Sequence, residues 1–248
     1  MDAQTTVDKA LDVLFQLHGE AEPQGVTAIG RALGLPKSSA HRLLSTLCRR
    51  GLVERDERGR YRPGIGLVAL GLGALEREPL VAAARPVLEA EAEALGETVF
   101  LVGLRDGRPL VLEKCEGSGF LRVSPRVGSE VPVHATAVGK LFLALAEGDI
   151  EAPSGRLEAY TAQTPRSARA LADLVAEVRR KGWAESREEW IPGMSVVAAP
   201  VSVHGRVRGA LAIAASTARL DTLGTDAVAR RAVNAAGRIS ARLEGRSL

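Results

Sequence analysis

The segment Thr27-Ala28-Ile29-Gly30-Arg31-Ala32-Leu33-Gly34-Leu35-Pro36-Lys37-Ser38-Ser39-Ala40-His41-Arg42-Leu43-Leu44 constrains the fold more than any other stretch of the chain. Thr27 is a residue type that caps helix N-termini, and Ile29, Ala32 and Leu33 follow it on one helical side. Gly34 can adopt the left-handed conformation that ends a helix, and Pro36 cannot extend that helix but can help begin the next. Beyond it, Ala40, Leu43, Leu44 and Leu47 recur at i, i+3, i+4 and i+7, the period of a helix that buries one stripe. The pattern predicts two short helices around a tight turn, the layout of a helix-turn-helix.

The opposite face of the second helix carries Ser38, Arg42, Ser45 and Arg49, with Lys37, Ser39 and His41 at its N-terminal end. Serines there can cap the helix or bond a phosphate, where free amides and the helix dipole already favour an anion. Arg42 is long enough to reach guanine edges, a contact worth about 1–3 kcal/mol of base discrimination. Gly51 closes the helix, and Leu52-Val53-Glu54-Arg55 and Arg60-Tyr61-Arg62-Pro63 read as two strands around the polar turn Asp56-Glu57-Arg58-Gly59. Such a hairpin is a wing, with Arg58 and Arg60 placed to touch phosphate or the minor groove. Nine basic residues lie from Arg31 to Arg62 against Glu54, Asp56 and Glu57, while the whole chain carries only +3. The positive field is therefore concentrated here, as in a nucleic-acid-binding surface. The same residues also fit a helical hairpin with a solvated basic face.

A chain of 248 residues can bury one large or two modest cores. Aromatics are only 3%, so those cores must be built from Ala, Val, Leu and Ile. Cys48 and Cys115 lie far apart and match no metal-ligand spacing. The N-terminus does not read as a signal peptide and no apolar run reaches bilayer length, so a cytoplasmic protein without membrane contact is expected.

Val7, Ala10, Leu11, Leu14 and Leu17 form an amphipathic stripe that predicts a first helix packed on the helix-turn-helix. From Ile65 to about Leu95 the pattern is helical, with a break near Pro79 and Pro86. Past Gly96 it changes to strands. Thr98–Leu104 and Pro109–Glu113 flank Asp106-Gly107, a strong hairpin signal, and Phe120–Val123 reads as a third strand. Helices are expected over Ala135–Leu145 and Ser167–Lys181, strands over Val196–Val203 and Val207–Ala214, and a last helix through Val228, Ala236 and Leu243. The fold class is α+β, with a winged helix-turn-helix over 1–64, a linker helix over 65–79 and a domain with a mainly antiparallel sheet over 80–248.

No phosphate loop, nucleophile elbow or metal-spaced His or Cys pair is legible, so no catalytic residue, metal or cofactor is assigned. His134 reads as a structural histidine, and Glu185, Glu188 and Glu189 beside Arg187 read as a solvated strand edge. The competing class is an enzyme with a winged-helix dimerisation domain, such as a small-molecule methyltransferase. That class needs a Gly-rich turn after a buried strand in a doubly wound parallel sheet.

Five segments carry a family resemblance. They are Val7-Asp8-Lys9-Ala10-Leu11-Asp12-Val13-Leu14, Leu35 to Leu44, Arg122 to Gly128, His134-Ala135-Thr136-Ala137-Val138-Gly139-Lys140, and Gly193 to Val201. In this order they make the chain similar to IclR-type transcriptional regulators over nearly its full length. The resemblance implies a winged helix followed by a GAF-like effector-binding domain. It also implies a homodimer or homotetramer that binds double-stranded operator DNA and responds to a small organic acid.

On the helix and wing pattern Thr27, Lys37, Ser38, Ser39, His41, Arg42, Ser45, Arg58 and Arg60 are the candidate DNA contacts, and the resemblance implies a pocket in the second domain. The effector pocket would be walled by Ala135 and Thr136, Glu188, Val196, Ala212 and Ala214, with Arg122 as an anchor. Relatives that bind small hydroxy or keto acids often place Cys at Val196, Ser at Ala212 and Ala214, and an Asp near Ser186-Arg187. Without those groups a compact polar ligand would be buried unsatisfied. A larger or more apolar effector is expected, an aromatic or branched-chain acid, or else a pocket that has lost its ligand.

Overall fold

The computed structural model describes residues 5–119, 125–146 and 148–245. The chain divides into two compact units, Met1–Arg77 and Glu78–Leu248.

The first unit contains α1 (Thr6–Gly19), α2 (Val26–Ala32), α3 (Lys37–Arg49), β1 (Val53–Arg55), β2 (Tyr61–Pro63) and α4 (Ile65–Glu76). Thr5 and Asp8 form a reciprocal capping box that starts α1. The cap of α2 is Gly25, with no side-chain hydrogen bond, so Thr27 lies inside the helix and the cap expected at Thr27 is corrected. The turn to α3 is a Schellman closure. Gly34 takes φ 64°, its N–H donates to Arg31 O at 3.3 Å, and Leu35 N–H donates to Gly30 O at 2.8 Å. Gly30 also leaves room for that turn, since a Cβ there would lie 2.9 Å from Leu35 O.

Val13, Leu17, Ile29, Leu44, Leu47, Val53 and Tyr61 form the core of this unit. The expected α1 stripe is therefore corrected: Val13 replaces Val7 and Leu11 on the buried side, and Val7, Leu11 and Phe15 are 67%, 47% and 66% exposed. β1 and β2 pair antiparallel as the wing, and Gln24 adds a bridge to Tyr61. Gly64 and Gly66 press against the backbone of Gly51, where a Cβ on either would come within 2.7 Å of its carbonyl oxygen or closer. α4 buries none of its residues, and Ile65, Val68, Leu70 and Leu72 are exposed.

The second unit runs α5 (Pro79–Leu95), β3 (Thr98–Arg105), β4 (Arg108–Cys115), α6 (Ala137–Leu145), α7 (Ala168–Lys181), β5 (Ala184–Arg187), β6 (Met194–Val203), β7 (Arg206–Ser216), α8 (Thr217–Leu223) and α9 (Thr225–Leu243). The five strands form one antiparallel sheet in the order β4-β3-β7-β6-β5. Its hairpin turns place Asp106-Gly107 and His204-Gly205 at positive φ, the pairing that follows strand twist. The strand expected over Phe120–Val123 lies outside the described residues.

Both faces of the sheet are covered, so its strands read as continuous apolar runs. Phe100, Val102, Val196, Ala198, Ala212 and Ala214 join a core with Leu141, Phe142, Leu171 and Val175 of α6 and α7. The alternate residues Val99, Leu101, Val197 and Ile213 are equally buried; α5 and α9 pack on the sheet and on each other. Buried Glu91 of α5 takes Arg231 and Arg238 of α9 as partners. The break expected at Pro86 does not occur. Pro86 lies inside α5, where both it and Ala82 face solvent, so water can satisfy the carbonyl that loses its donor.

Candidate functional site

α3 presents Lys37, Ser38, His41 and Arg42 to solvent, with Ser39 and Ser45 half-buried at the edge of the same face. Its N-cap is Pro36, and no side chain caps the first turn. The leading amides of α3 are thus free to bond an external acceptor, at the end of the helix where the dipole favours an anion. Thr27 is exposed on α2.

On the wing, Arg62 pairs with Glu54 and Arg60 with Asp56. Arg55 lies over the Tyr61 ring at 5.7 Å. Arg58 is exposed. The hydrogen bond that the Arg60 backbone N–H donates holds the Asp56 carboxyl below its ordinary range, and that from Ile65 N–H does the same for Glu54. The local excess of positive charge is therefore carried mainly by α3 and the wing tip.

In the second unit an apolar cavity opens between the sheet and the entry to α6. It is lined by Phe100, Val131, Thr136, Ser186, Trp190 and Val196, among others, and measures about 20 Å³. Register brings the walls together: Ser186 pairs with Val196, and Val196 with Ala214, across three adjacent strands. Thr136 caps α6 by accepting from Gly139 N–H at 3.0 Å and donates to Pro132 O at 2.7 Å. Gly139 allows this entry, because a Cβ there would lie 2.1 Å from Val133 O.

Of the residues expected to wall a pocket, Thr136, Val196 and Ala214 line this cavity. Ala135 and Ala212 are fully buried in the surrounding core. Glu188 turns the other way, accepting from Gly193 N–H to close the β5–β6 turn. Arg122 lies outside the described residues. Phe100, Trp190 and Met194 were not read from the sequence, because their place in the lining depends on sheet register.

His134 Nε2 meets Glu158 O at 2.8 Å, an oxygen that can only accept, and its ring stacks on Tyr160. Its role is to hold the connection after α6. The solvated strand edge expected at Glu189 is corrected: Glu189 is buried and pairs with Lys140 of α6. No described helix is long and apolar enough to cross a membrane.

Two family models match the chain. The IclR helix-turn-helix domain matches residues 6–57, and the bacterial transcriptional regulator IclR C-terminal domain matches residues 72–241. The chain is 35% identical over 222 residues to the HTH-type transcriptional regulator XynR of Escherichia coli (strain K12), covering 87% of this chain and 88% of that one. It is similar to the solved structure of an IclR transcriptional regulator from Alicyclobacillus acidocaldarius, with 30% identity, 97% of each chain covered and a TM-score of 0.80. A third likeness is to an IclR homolog from Microbacterium hydrocarbonoxydans complexed with 4-hydroxybenzoate. There the identity is 25%, the TM-score 0.83, and the coverage 97% of this chain and 100% of that one. The antiparallel sheet is not the parallel, doubly wound sheet that the methyltransferase alternative requires. With both of its domains matched in order, the chain belongs to the IclR family of DNA-binding transcriptional regulators, and it is not an enzyme.

Proposed function

We propose that α3 reads operator DNA from the major groove and that a carboxylic acid bound in the apolar cavity adjusts that reading. The observation that carries the first part is the uncapped first turn of α3 beside exposed Lys37, Ser38 and Arg42. Phosphate binds the free amides and serines, and Lys37 adds charge. Arg42 and His41 meet base edges, Ser39 and Ser45 border them, and Thr27 and Arg58 hold the flanking backbone. Arg60 contributes less, because Asp56 already neutralises it.

The effector is an aromatic or branched-chain acid. The cavity walls are apolar apart from the hydroxyls of Thr136 and Ser186, a lining that suits an apolar body with few polar anchors. The solved homolog complexed with 4-hydroxybenzoate supports an aromatic acid as the first probe. Residues 1–64 serve as the reading domain, 65–79 as the linker and 80–248 as the sensing domain.

Two copies act together in the cytoplasm. The apolar residues that α1 and α4 leave exposed, Phe15, Ile65, Leu70 and Leu72 above all, are 62–69% accessible; a second copy of this chain covers them, and half-sites then lie about one helical turn apart or a multiple of it. The test is a titration of a duplex from the protein's own upstream region against random duplex at fixed salt, with and without 4-hydroxybenzoate. Equal affinity for both duplexes would overturn the reading of α3. An operator affinity that no aromatic or branched-chain acid moves would overturn the effector.

A further inference from the structure

The two walls of the apolar cavity are joined behind it by a buried ion pair. Lys140 lies one turn beyond Thr136 on α6, and its Nζ donates to both carboxylate oxygens of Glu189, at 2.5 and 2.8 Å. The two side chains are 2% and 11% exposed. Glu189 immediately precedes Trp190, which lines the cavity from the turn between β5 and β6. Thr161 donates to Glu188 O and Thr164 to Glu189 O, each at 2.6 Å, so the same turn is also gripped from the connection after α6.

The cavity these walls enclose is about 20 Å³, room for roughly one water. An aromatic ring needs a cavity on the order of 150 Å³. A ligand of that size enters only if a wall moves. On the far side of the pair lies a charged cleft of about 210 Å³ lined by Glu177, Lys181, Trp183, Glu185 and Arg187. Glu185 and Glu177 both act on Lys140 electrostatically, and Lys181 and Arg187 are engaged by Glu177 and Glu185. Both of those carboxylates are thus already engaged, and Glu189 is the one that bonds Lys140.

We propose that the Lys140–Glu189 pair is a latch that holds the Trp190 turn closed against α6 and so sets the effector affinity and size selectivity of the cavity. The proposal rests on the effector reading above. Lys140 and Glu189 are positioning residues that act through Trp190. An effector binds the open arrangement, and its apparent affinity is reduced by the fraction of molecules in which the latch is open.

Trp183 and Trp190 are the only tryptophans in the chain, so a Trp183→Phe background makes Trp190 a private reporter. Acrylamide quenching of Trp190 is measured in that full-length parent, in Glu189→Gln, and in a Lys140→Met/Glu189→Met double variant. The double variant removes both charges and covers the case in which a single change leaves a lone buried charge and fails to fold. The same proteins are titrated with 4-hydroxybenzoate by calorimetry. Quenching should rise in the variants, and their Kd for 4-hydroxybenzoate should fall by about fivefold or more. Folded variants whose Trp190 quenching and ligand affinity match the parent would overturn the latch. Increased quenching with no binding of any aromatic or branched-chain acid, in parent or variants, would uphold the latch at Trp190 and overturn the effector reading instead.

Discussion

Arg60 reaches back to Asp56 across the wing turn, Nε to Oδ2 at 3.2 Å, whereas Arg58 at the tip meets Asp56 only through its backbone N–H and leaves its side chain exposed. Two arginines that look equivalent in sequence thus differ in the charge they can offer DNA. Arg58→Ala should weaken binding to all duplexes alike and reduce the slope of log K against log salt by about 1. Arg60→Ala should change that slope by less. Equal changes in a salt titration of the two variants would show that Asp56 releases Arg60 on binding.

Arg42 is exposed on the outer face of α3 and supports no part of the core. Arg42→Ala should leave thermal unfolding unchanged while reducing operator preference over random duplex by about 1–3 kcal/mol, the worth of one bidentate base contact. Unchanged discrimination at fixed salt would remove Arg42 from base reading.

The entry to α6 depends on a missing Cβ. At Gly139 one would lie 2.1 Å from Val133 O, whereas at Gly237 in α9 nothing lies within 4 Å. Gly139→Ala should destabilise by about 1–3 kcal/mol or more, as overpacking does. Gly237→Ala should stabilise by about 0.5–1 kcal/mol, because only the helix propensity changes. Urea midpoints read both, and a neutral Gly139→Ala would contradict the close approach.

The helix-turn-helix could be read from sequence because its punctuation is local. Gly34, Pro36 and the Ala40–Leu47 stripe each act within one turn of chain. Thr27 reads as a cap because Gly25 carries no side chain to signal that role, and a threonine at the second position of a helix looks the same in a string of letters. Val7 and Leu11 read as core because an apolar stripe does not reveal which of its residues the domain itself covers. Glu189 reads as a solvated acid because its partner, Lys140, is 49 residues away. The rest of the cavity is hidden for the same reason, since Phe100, Trp190 and Met194 meet only through strand register and a turn.

Acid should loosen the wing. The Asp56 and Glu54 carboxyls are held below their ordinary values of 3.8 and 4.5, first by the backbone N–H groups of Arg60 and Ile65. Protons then bind the unfolded chain more readily than the folded one, so this stabilisation is complete above those values and is lost as pH falls through the lowered ones. Hydrogen exchange at the Arg60 and Ile65 amides should accelerate below pH 3.8 relative to the core of α3, after correction for intrinsic rates. Asp56→Asn should abolish this acid dependence at the Arg60 amide, because an amide side chain takes up no proton. Uniform protection down to global unfolding would contradict it.

Recognition of operator DNA by α3 is tested most directly by selecting duplexes from a random pool with the purified protein and titrating the enriched sequence against an unselected one at the same salt. The expected result is a two-fold symmetric site, with half-sites about one helical turn apart or a multiple of it, bound at least about 10³-fold more tightly than random duplex. A pool that yields no consensus, or a consensus bound no better than random duplex, would contradict it.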